Sequence, residues 1–265
     1  MKILFIGDIV GRAGRGILKD AFRYLNLRSK YDFIIANAEN AAGGFGITNK
    51  VLDELLQLQI DCFTMGNHTF DKKEAEQVLL NDRVIRPANL PPGVVGVGYG
   101  IFNSRAGKVA VVNLLGRIFM QPVDCPFRSF DSLYNLMKRE SNVIIVDFHA
   151  EATSEKNALG YYLDGRASAV IGTHTHVPTD DCKILPNKTA YVTDVGMTGS
   201  SAGIIGFKKD SIIQKFLTCI PKKFEVDFEE PQLQAVAVEI DEATGMARSI
   251  ERVFYPGKNC CEKES

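Results

Sequence analysis

The sequence predicts an α/β fold with mixed sheets packed face to face and helices outside, and three observations predict it. Short apolar runs alternate with stretches of helical spacing. The alternation resumes after a Pro/Gly-rich stretch at 87–100. Two period-2 segments close the pattern, separated by Glu242-Ala243-Thr244-Gly245, and they read as an antiparallel hairpin. The 265 residues are 45% hydrophobic and 24% charged, enough for a substantial core without disulfide or metal staples. Neither a repeat nor a low-complexity linker divides them, so one domain is expected over 1–255, followed by a polar tail at 256–265.

Taken in order, residues 2–6 form a compact apolar run that ends at Gly7-Asp8, a buried strand. Residues 15–27 carry apolar side chains at helix spacing. A second strand at 33–36 leads into a helix at 48–58, with Thr48 as its cap. A third strand at 62–65 ends at Gly66-Asn67-His68, and a helix capped by Asp71 is expected over 71–80. Beyond the Pro/Gly stretch, strands are expected at 109–115, 143–148, 167–171 and 190–195, with a helix at 130–139. The closing hairpin covers 232–240 and 247–255.

A net charge of −1 gives no broad basic footprint for duplex nucleic acid, and Lys208-Lys209 and Lys222-Lys223 read as solvated faces. The N-terminal apolar run is too short for a signal-peptide core, and nothing approaches the roughly 20 apolar residues of a membrane span. The six cysteines follow no framework spacing, which predicts a reduced, cytoplasmic setting, with Cys260 and Cys261 as exposed thiols.

The chemistry gathers at strand ends. Asp8, Glu39-Asn40, Asn67-His68, His149 and His174-Thr175-His176 all lie at or just past the C-terminal ends of expected strands, the edge where open α/β sheets build sites. All four histidines of the chain fall in this set. In an extended segment residues i and i+2 share a face, so His174 and His176 can aim at one cluster. Glu39 is placed to face the same edge as Asp8, and a carboxylate can bridge two cations. Blander readings stand beside these: Asp8 as a cap, Asn67 as a turn residue, His149 as a satisfied core histidine. Gly7 to Gly14 is glycine-rich but lacks the Gly-Lys-Ser/Thr ending of a Walker loop. Residues 42–46 read as a flexible turn close enough to Glu39 to approach a substrate, and Gly196-Met197-Thr198-Gly199 as a segment that could line the site.

The order Gly7-Asp8, Glu39-Asn40, Gly66-Asn67-His68, His149 and Thr173-His174-Thr175-His176 resembles the calcineurin-like metallophosphoesterase superfamily, and more closely its bacterial YmdB family. Asn113-Leu114-Leu115-Gly116-Arg117, Tyr162-Leu163-Asp164-Gly165-Arg166 and Thr193-Asp194-Val195-Gly196-Met197-Thr198-Gly199 extend the resemblance over nearly the whole chain. It implies a four-layer α/β/β/α fold and two transition-metal ions, iron or manganese foremost, with zinc as a further fit. It implies Asp8, Glu39, Asn40 and His176 on one ion, and Glu39, Asn67, His149 and His174 on the other, with His68 as the catalytic acid. The wider superfamily has His where this chain has Val10, and Asp where it has Glu39; Asn40 is expected to supply the donor that Val10 lacks.

The activity so implied is phosphodiester hydrolysis of 2′,3′-cyclic nucleotides, by attack of a metal-bridging hydroxide while His68 protonates the departing ribose oxygen. A nucleotide is the expected partner, with RNA ends and a second copy of the chain as further candidates. The alternatives are a broad phosphomonoesterase or protein phosphatase, and a nucleotide- or RNA-binding regulator without turnover.

Overall fold

A computed structural model describes residues 1–257. Cys260 and Cys261 therefore lie outside the described residues. In chain order the strands are β1 (Lys2–Ile6), β2 (Asp8–Ile9), β3 (Phe33–Asn37), β4 (Cys62–Thr64), β5 (Val84–Ile85), β6 (Tyr99–Ser104) and β7 (Gly107–Leu115). They continue with β8 (Val143–His149), β9 (Ala169–Thr173), β10 (Lys183–Ile184), β11 (Ala190–Val192), β12 (Met197–Ser200), β13 (Pro231–Ile240) and β14 (Ala247–Pro256). The helices are α1 (Gly11–Tyr24), α2 (Leu27–Lys30), α3 (Asn49–Leu56), α4 (Ala75–Val78), α5 (Pro126–Glu140), α6 (Thr153–Tyr162) and α7 (Lys209–Thr218).

Two mixed sheets result. The eight-stranded one runs β2-β12-β13-β1-β3-β4-β5, with β14 paired to β13. The six-stranded one runs β10-β11-β9-β8-β7-β6. Period-2 alternation divides each central strand between two cores. Ile3 and Phe5 of β1, Phe33 and Ile35 of β3, and Val236 and Val238 of β13 face inward between the sheets. There they meet Val109 and Val111 of β7, Val143 and Ile145 of β8, and Ala169 and Ile171 of β9. The alternate residues Leu4, Ile6 and Ile34 pack under Ile17 and Leu18 of α1 and Leu52 and Leu55 of α3. On the far side Ile144, Val146 and Val170 pack under Phe130 of α5 and Leu159 of α6. The order is helix, sheet, sheet, helix, the expected four layers. Each fully buried side chain of this size contributes about 1.5–3 kcal/mol, so the inter-sheet core is what fixes one sheet's edge against the other's.

Several boundaries differ from the sequence reading. α1 starts at Gly11, four residues before the expected helix, although glycine disfavours a helix by about 1 kcal/mol each. Close packing outweighs that cost: a Cβ at Gly14 would sit 2.2 Å from the Thr198 carbonyl oxygen. The Gly7–Gly14 spacing therefore serves strand-to-helix packing, in keeping with its lack of a Walker ending. Thr48 caps α3 as expected, its Oγ1 accepting from the Val51 N–H at 3.4 Å. The helix expected over 71–80 shrinks to α4, and Asp71 does not cap it. The carboxylate of Asp71 is engaged by His68 at 2.7 Å instead. The strand expected over 167–171 lies two residues later as β9, and the one over 190–195 stops at Val192. The expected hairpin is β13–β14, antiparallel from Gln232↔Pro256 onward.

Candidate metal centre

Strand ends deliver the donors. Asp8 opens β2, beside the end of β1; its N–H donates to the Gly196 carbonyl at 3.2 Å, and its carboxylate is fully buried. Gly7 permits this, since a Cβ there would sit 2.0 Å from that same Gly196 oxygen. Gly196 thus backs the Asp8 strand rather than lining the cavity. Past β3, the Glu39 N–H donates to Asn37 Oδ1 at 3.1 Å and the Asn40 carbonyl accepts from the Gly11 N–H at 2.9 Å. Arg15 fixes the next residue, donating to the Ala41 carbonyl at 2.6 Å. Gly66 lets Asn67 and His68 follow β4 closely: a Cβ there would meet Glu39 Oε2 at 2.3 Å and the His149 ring at 2.5 Å. His149 is the last residue of β8, and His174 follows the end of β9.

All eight predicted residues converge. His149 Nε2 is 2.9 Å from Glu39 Oε1, 3.0 Å from Asn67 Oδ1 and 3.1 Å from His174 Nδ1. Asn40 Nδ2 is 3.2 Å from Glu39 Oε1, 3.2 Å from His176 Nε2 and 3.4 Å from Asp8 Oδ1. Two groups of donors thus share Glu39. Rotating the Asn40 amide by half a turn exchanges its nitrogen and oxygen, so its carbonyl can face the same point. His68 stands beside the centre, its N–H donating to Glu39 Oε2 at 2.8 Å.

The reason for the convergence of His174 and His176 differs from the one expected. The segment is not extended: His174 has φ 102° and His176 φ 64°, both left-handed. Such residues cost of order 1–3 kcal/mol each and persist only when their surroundings hold them. Asp194 is that surrounding. Its carboxylate accepts from the Thr175 N–H at 3.0 Å, the Thr175 hydroxyl at 2.8 Å and the Gly196 N–H at 2.8 Å. Lys156 Nζ neutralises it at 2.7 Å, and both side chains are buried. His176 Nδ1 donates to the Ile205 carbonyl at 2.9 Å.

Other supporting residues escaped the sequence reading. The Nδ1–H of His149 donates to Thr173 Oγ1 at 2.9 Å, and Thr173 in turn donates to Asp147 at 2.7 Å. This chain fixes the imidazole orientation, as outer partners of metal-binding histidines do. Asn37 Nδ2 donates to Asp147 at 3.2 Å and so joins the two sheets beneath the site. An aspartate inside the apolar run 143–148 was the signal for Asp147. No pattern marked Lys156. Val10, where the wider superfamily has His, is buried in an apolar cluster with Met197, Phe207 and Val226.

The electrostatics ask for a cation. Burial pushes the Asp8 carboxyl up, against the pull of His176 and His149. Burial also works to raise Glu39, but the charge and hydrogen bond of His149 outweigh it and hold Glu39 at about 2. His149, despite burial, is raised to about 9 chiefly by Glu39. His174 is driven down to about 3 by burial and by the His149 charge. One proton on His149 thus faces three electron-pair donors and can satisfy only one of them. One donor atom each from Glu39, His149 and His174 lies within 4.8 Å of the others, a set whose chemistry fits a transition-metal ion. Glu39 and His174 border a cavity of about 310 Å³ lined also by Phe45, Glu151, Ile205, Phe207 and Phe224. A larger one of about 370 Å³, between Phe33, Arg83 and Phe102, holds no imidazole.

An α/β/β/α sandwich with carboxylate, amide and imidazole donors from both sheets at one edge defines a metallophosphoesterase-type protein. The model of the YmdB-like protein family matches residues 4–253, and the chain belongs to that family. It is 48% identical over 255 residues to a 2′,3′-cyclic-nucleotide 2′-phosphodiesterase of Bacillus subtilis, covering 96% of this chain and 97% of that protein. It resembles the crystal structure of a hypothetical protein from Thermus thermophilus with TM-score 0.90 and 40% identity, covering 97% of this chain and 99% of that one. It also resembles that of a novel phosphatase from Mycoplasma pneumoniae with TM-score 0.90 and 36% identity, covering 97% and 93%. No helix among the described residues is long and apolar enough to cross a membrane.

Proposed function

We propose that the protein is a metal-dependent phosphodiesterase that opens 2′,3′-cyclic nucleotides, acting as one domain over residues 1–255. The observation that carries this reading is the shared position of Glu39 between two groups of donors. The activity in the name of the Bacillus subtilis relative supports it. Asp8, Glu39, Asn40 and His176 would hold one iron or manganese ion and Glu39, Asn67, His149 and His174 a second; when bound, the pair supplies Lewis acidity and activates water. A cytoplasmic setting and self-association belong to the same proposal, resting on the scattered cysteines and on the family resemblance.

The chain's own residues do the rest. Asp71 accepts from His68 Nδ1 at 2.7 Å, which orients the ring and leaves Nε2 for the substrate. Protonated His68 gives its Nε2 proton to the ribose oxygen as that oxygen leaves phosphorus. The oxygen of water takes its place in line, the new P–O bond forming as the P–O(ribose) bond breaks. The proton released by the water passes to solvent, from which His68 is reprotonated, and the product is a nucleoside monophosphate.

The test is hydrolysis of 2′,3′-cyclic AMP beside p-nitrophenyl phosphate and its bis-ester, with Mn²⁺ or Fe²⁺ and with chelator. Metal-dependent opening of the cyclic diester is expected. Turnover of the monoester alone would make the protein a phosphatase, a second reading favoured by the description of the Mycoplasma pneumoniae structure. Tight nucleotide binding without any product would make it a regulator.

A further inference from the structure

The cavity beside the donors has two unlike ends. Glu39, Asn40, His174 and His176 form one, and Phe45, Phe207 and Phe224 the other, with Ile205 between them, its carbonyl accepting from His176 Nδ1 at 2.9 Å. Phe45 stacks on Phe207 at 5.3 Å between centroids and meets the His68 ring edge-on at 4.8 Å. Phe224 tilts against Phe207 at 5.8 Å and carries the Lys215 ammonium 4.9 Å from its ring centre. The aromatic end is therefore held rigid before any ligand arrives. Phe207 is 4% exposed and acts as the support, while Phe45 and Phe224 are half-buried and line the cavity. Two glycines make room for this packing. A Cβ at Gly44 would sit 2.6 Å from Phe207, and one at Gly206 would sit 2.8 Å from Val10.

We infer that this aromatic end is a nucleobase platform, with Phe224 and Phe45 stacking the base of the nucleotide whose phosphate lies at the donor end. The inference rests on the phosphodiesterase reading and deepens it. Among the described residues no Lys or Arg lines the cavity, and Lys215, which lies behind Phe224 with its ammonium 4.9 Å from the ring centre, is not part of the lining. The side chains that can meet a phosphate directly are therefore those of the donor end and His68. That fixes the ligand's direction. The other end offers a flat apolar wall, which suits the face of a base, the group a ribose attaches next to a 2′,3′-cyclic phosphate. The hydrogen-bonding side chains of the cavity, including Glu151 on His174 at 3.0 Å, sit at the donor end. The base is thus held by stacking without edge readout, and every base is accepted.

The experiment compares wild type, Phe224→Ala and Phe224→Trp, all loaded with Mn²⁺. Phe224 is the cleaner choice because Phe45 also touches His68. Calorimetry measures binding of adenosine 2′-monophosphate and of inorganic phosphate. Kinetics measures kcat/KM for 2′,3′-cyclic AMP relative to glycerol 1,2-cyclic phosphate, a five-membered cyclic diester without a base. Phe224→Ala should weaken adenosine 2′-monophosphate about tenfold, within the range of a lost base–aromatic stack, while phosphate stays within about twofold. The kcat/KM ratio should fall by a similar factor through KM, and Phe224→Trp should restore both. Equal weakening of nucleotide and phosphate in Phe224→Ala, without restoration by Trp, would overturn the platform. If wild type leaves the cyclic diester intact, the phosphodiesterase reading fails separately, and the two binding constants still decide the platform.

Discussion

Replacing Gly66 by alanine should disable the metal centre while leaving the fold in place. The backbone at Gly66 is not left-handed, so the added methyl group acts through space alone. It would arrive 2.3 Å from Glu39 Oε2 and 2.5 Å from His149 Nε2. An ordinary contact is roughly 3.5 Å, so each of the two donors must retreat by about 1 Å. Metal–ligand distances tolerate about 0.2 Å, a fraction of that movement. Even a disturbed outer partner costs about 10–100-fold in metal affinity, and here the donors themselves move, so a loss of at least 100-fold is expected. Overpacking costs about 1–3 kcal/mol and the stiffer unfolded chain returns about 0.4–1 kcal/mol, leaving a net loss of at most about 2.6 kcal/mol. At this chain length that lowers Tm by at most about 10 °C. The assay is Mn²⁺ titration of chelator-stripped protein by calorimetry, with metal content after dialysis and a circular dichroism melt in parallel. A folded Gly66→Ala protein that binds Mn²⁺ like wild type would refute the argument.

Removing His68 should leave metal content unchanged and lower kcat on the cyclic diester by about 10²–10⁴-fold; loss of metal instead would place His68 among the donors. Asp71→Asn should lower kcat in the same direction by less, measured on the same substrate, because it disturbs the orientation of His68 and not its presence. Lys156→Met leaves Asp194 buried without its counter-charge and should cost about 3–5 kcal/mol, a Tm fall of about 6–20 °C by calorimetry. A fall under about 2 °C would show that the His174–His176 turn does not depend on that pair. Gly7→Ala should impair folding itself, seen as insoluble expression, because the obstacle is a backbone carbonyl that cannot rotate away.

Most of the sheet architecture was legible because the apolar runs are short and sharply bounded, as in 143–148, where β8 differs only by including His149. The candidate donors were legible for a related reason: each lies within a few residues of the end of such a run. What escaped was information that sits across space. The glycines of α1 argue against a helix locally, and across the interface the Thr198 carbonyl explains Gly14 and the Val226 side chain Gly11, while nothing lies within 4 Å of a Cβ at Gly16. Asp71 has the residue type of a cap, but the nearby imidazole claimed it. The turn holding His174 and His176 came out in the right place for the wrong reason, since extended geometry was assumed where left-handed φ prevails. Neither α6 nor Lys156 within it was expected, and the burial of Lys156 goes with an aspartate 38 residues further along the chain.

The position of β13 has a consequence for the order in which the protein can be made. This strand lies between β12 and β1, pairing Lys2 with Glu239 in one direction and Gly199 with Gln232 in the other. Met1 donates to the Ile240 carbonyl across a sequence separation of 239 residues. During synthesis β1 therefore waits, one edge open, until residues 231–240 have left the ribosome. Such long-range pairing is slow and leaves an unprotected strand edge meanwhile. β2, which carries Asp8, is anchored through β12 to that same late strand. A nascent chain is consequently unable to assemble the Asp8 side of the centre early, and a truncated product ending before residue 231 would be expected to lack it altogether.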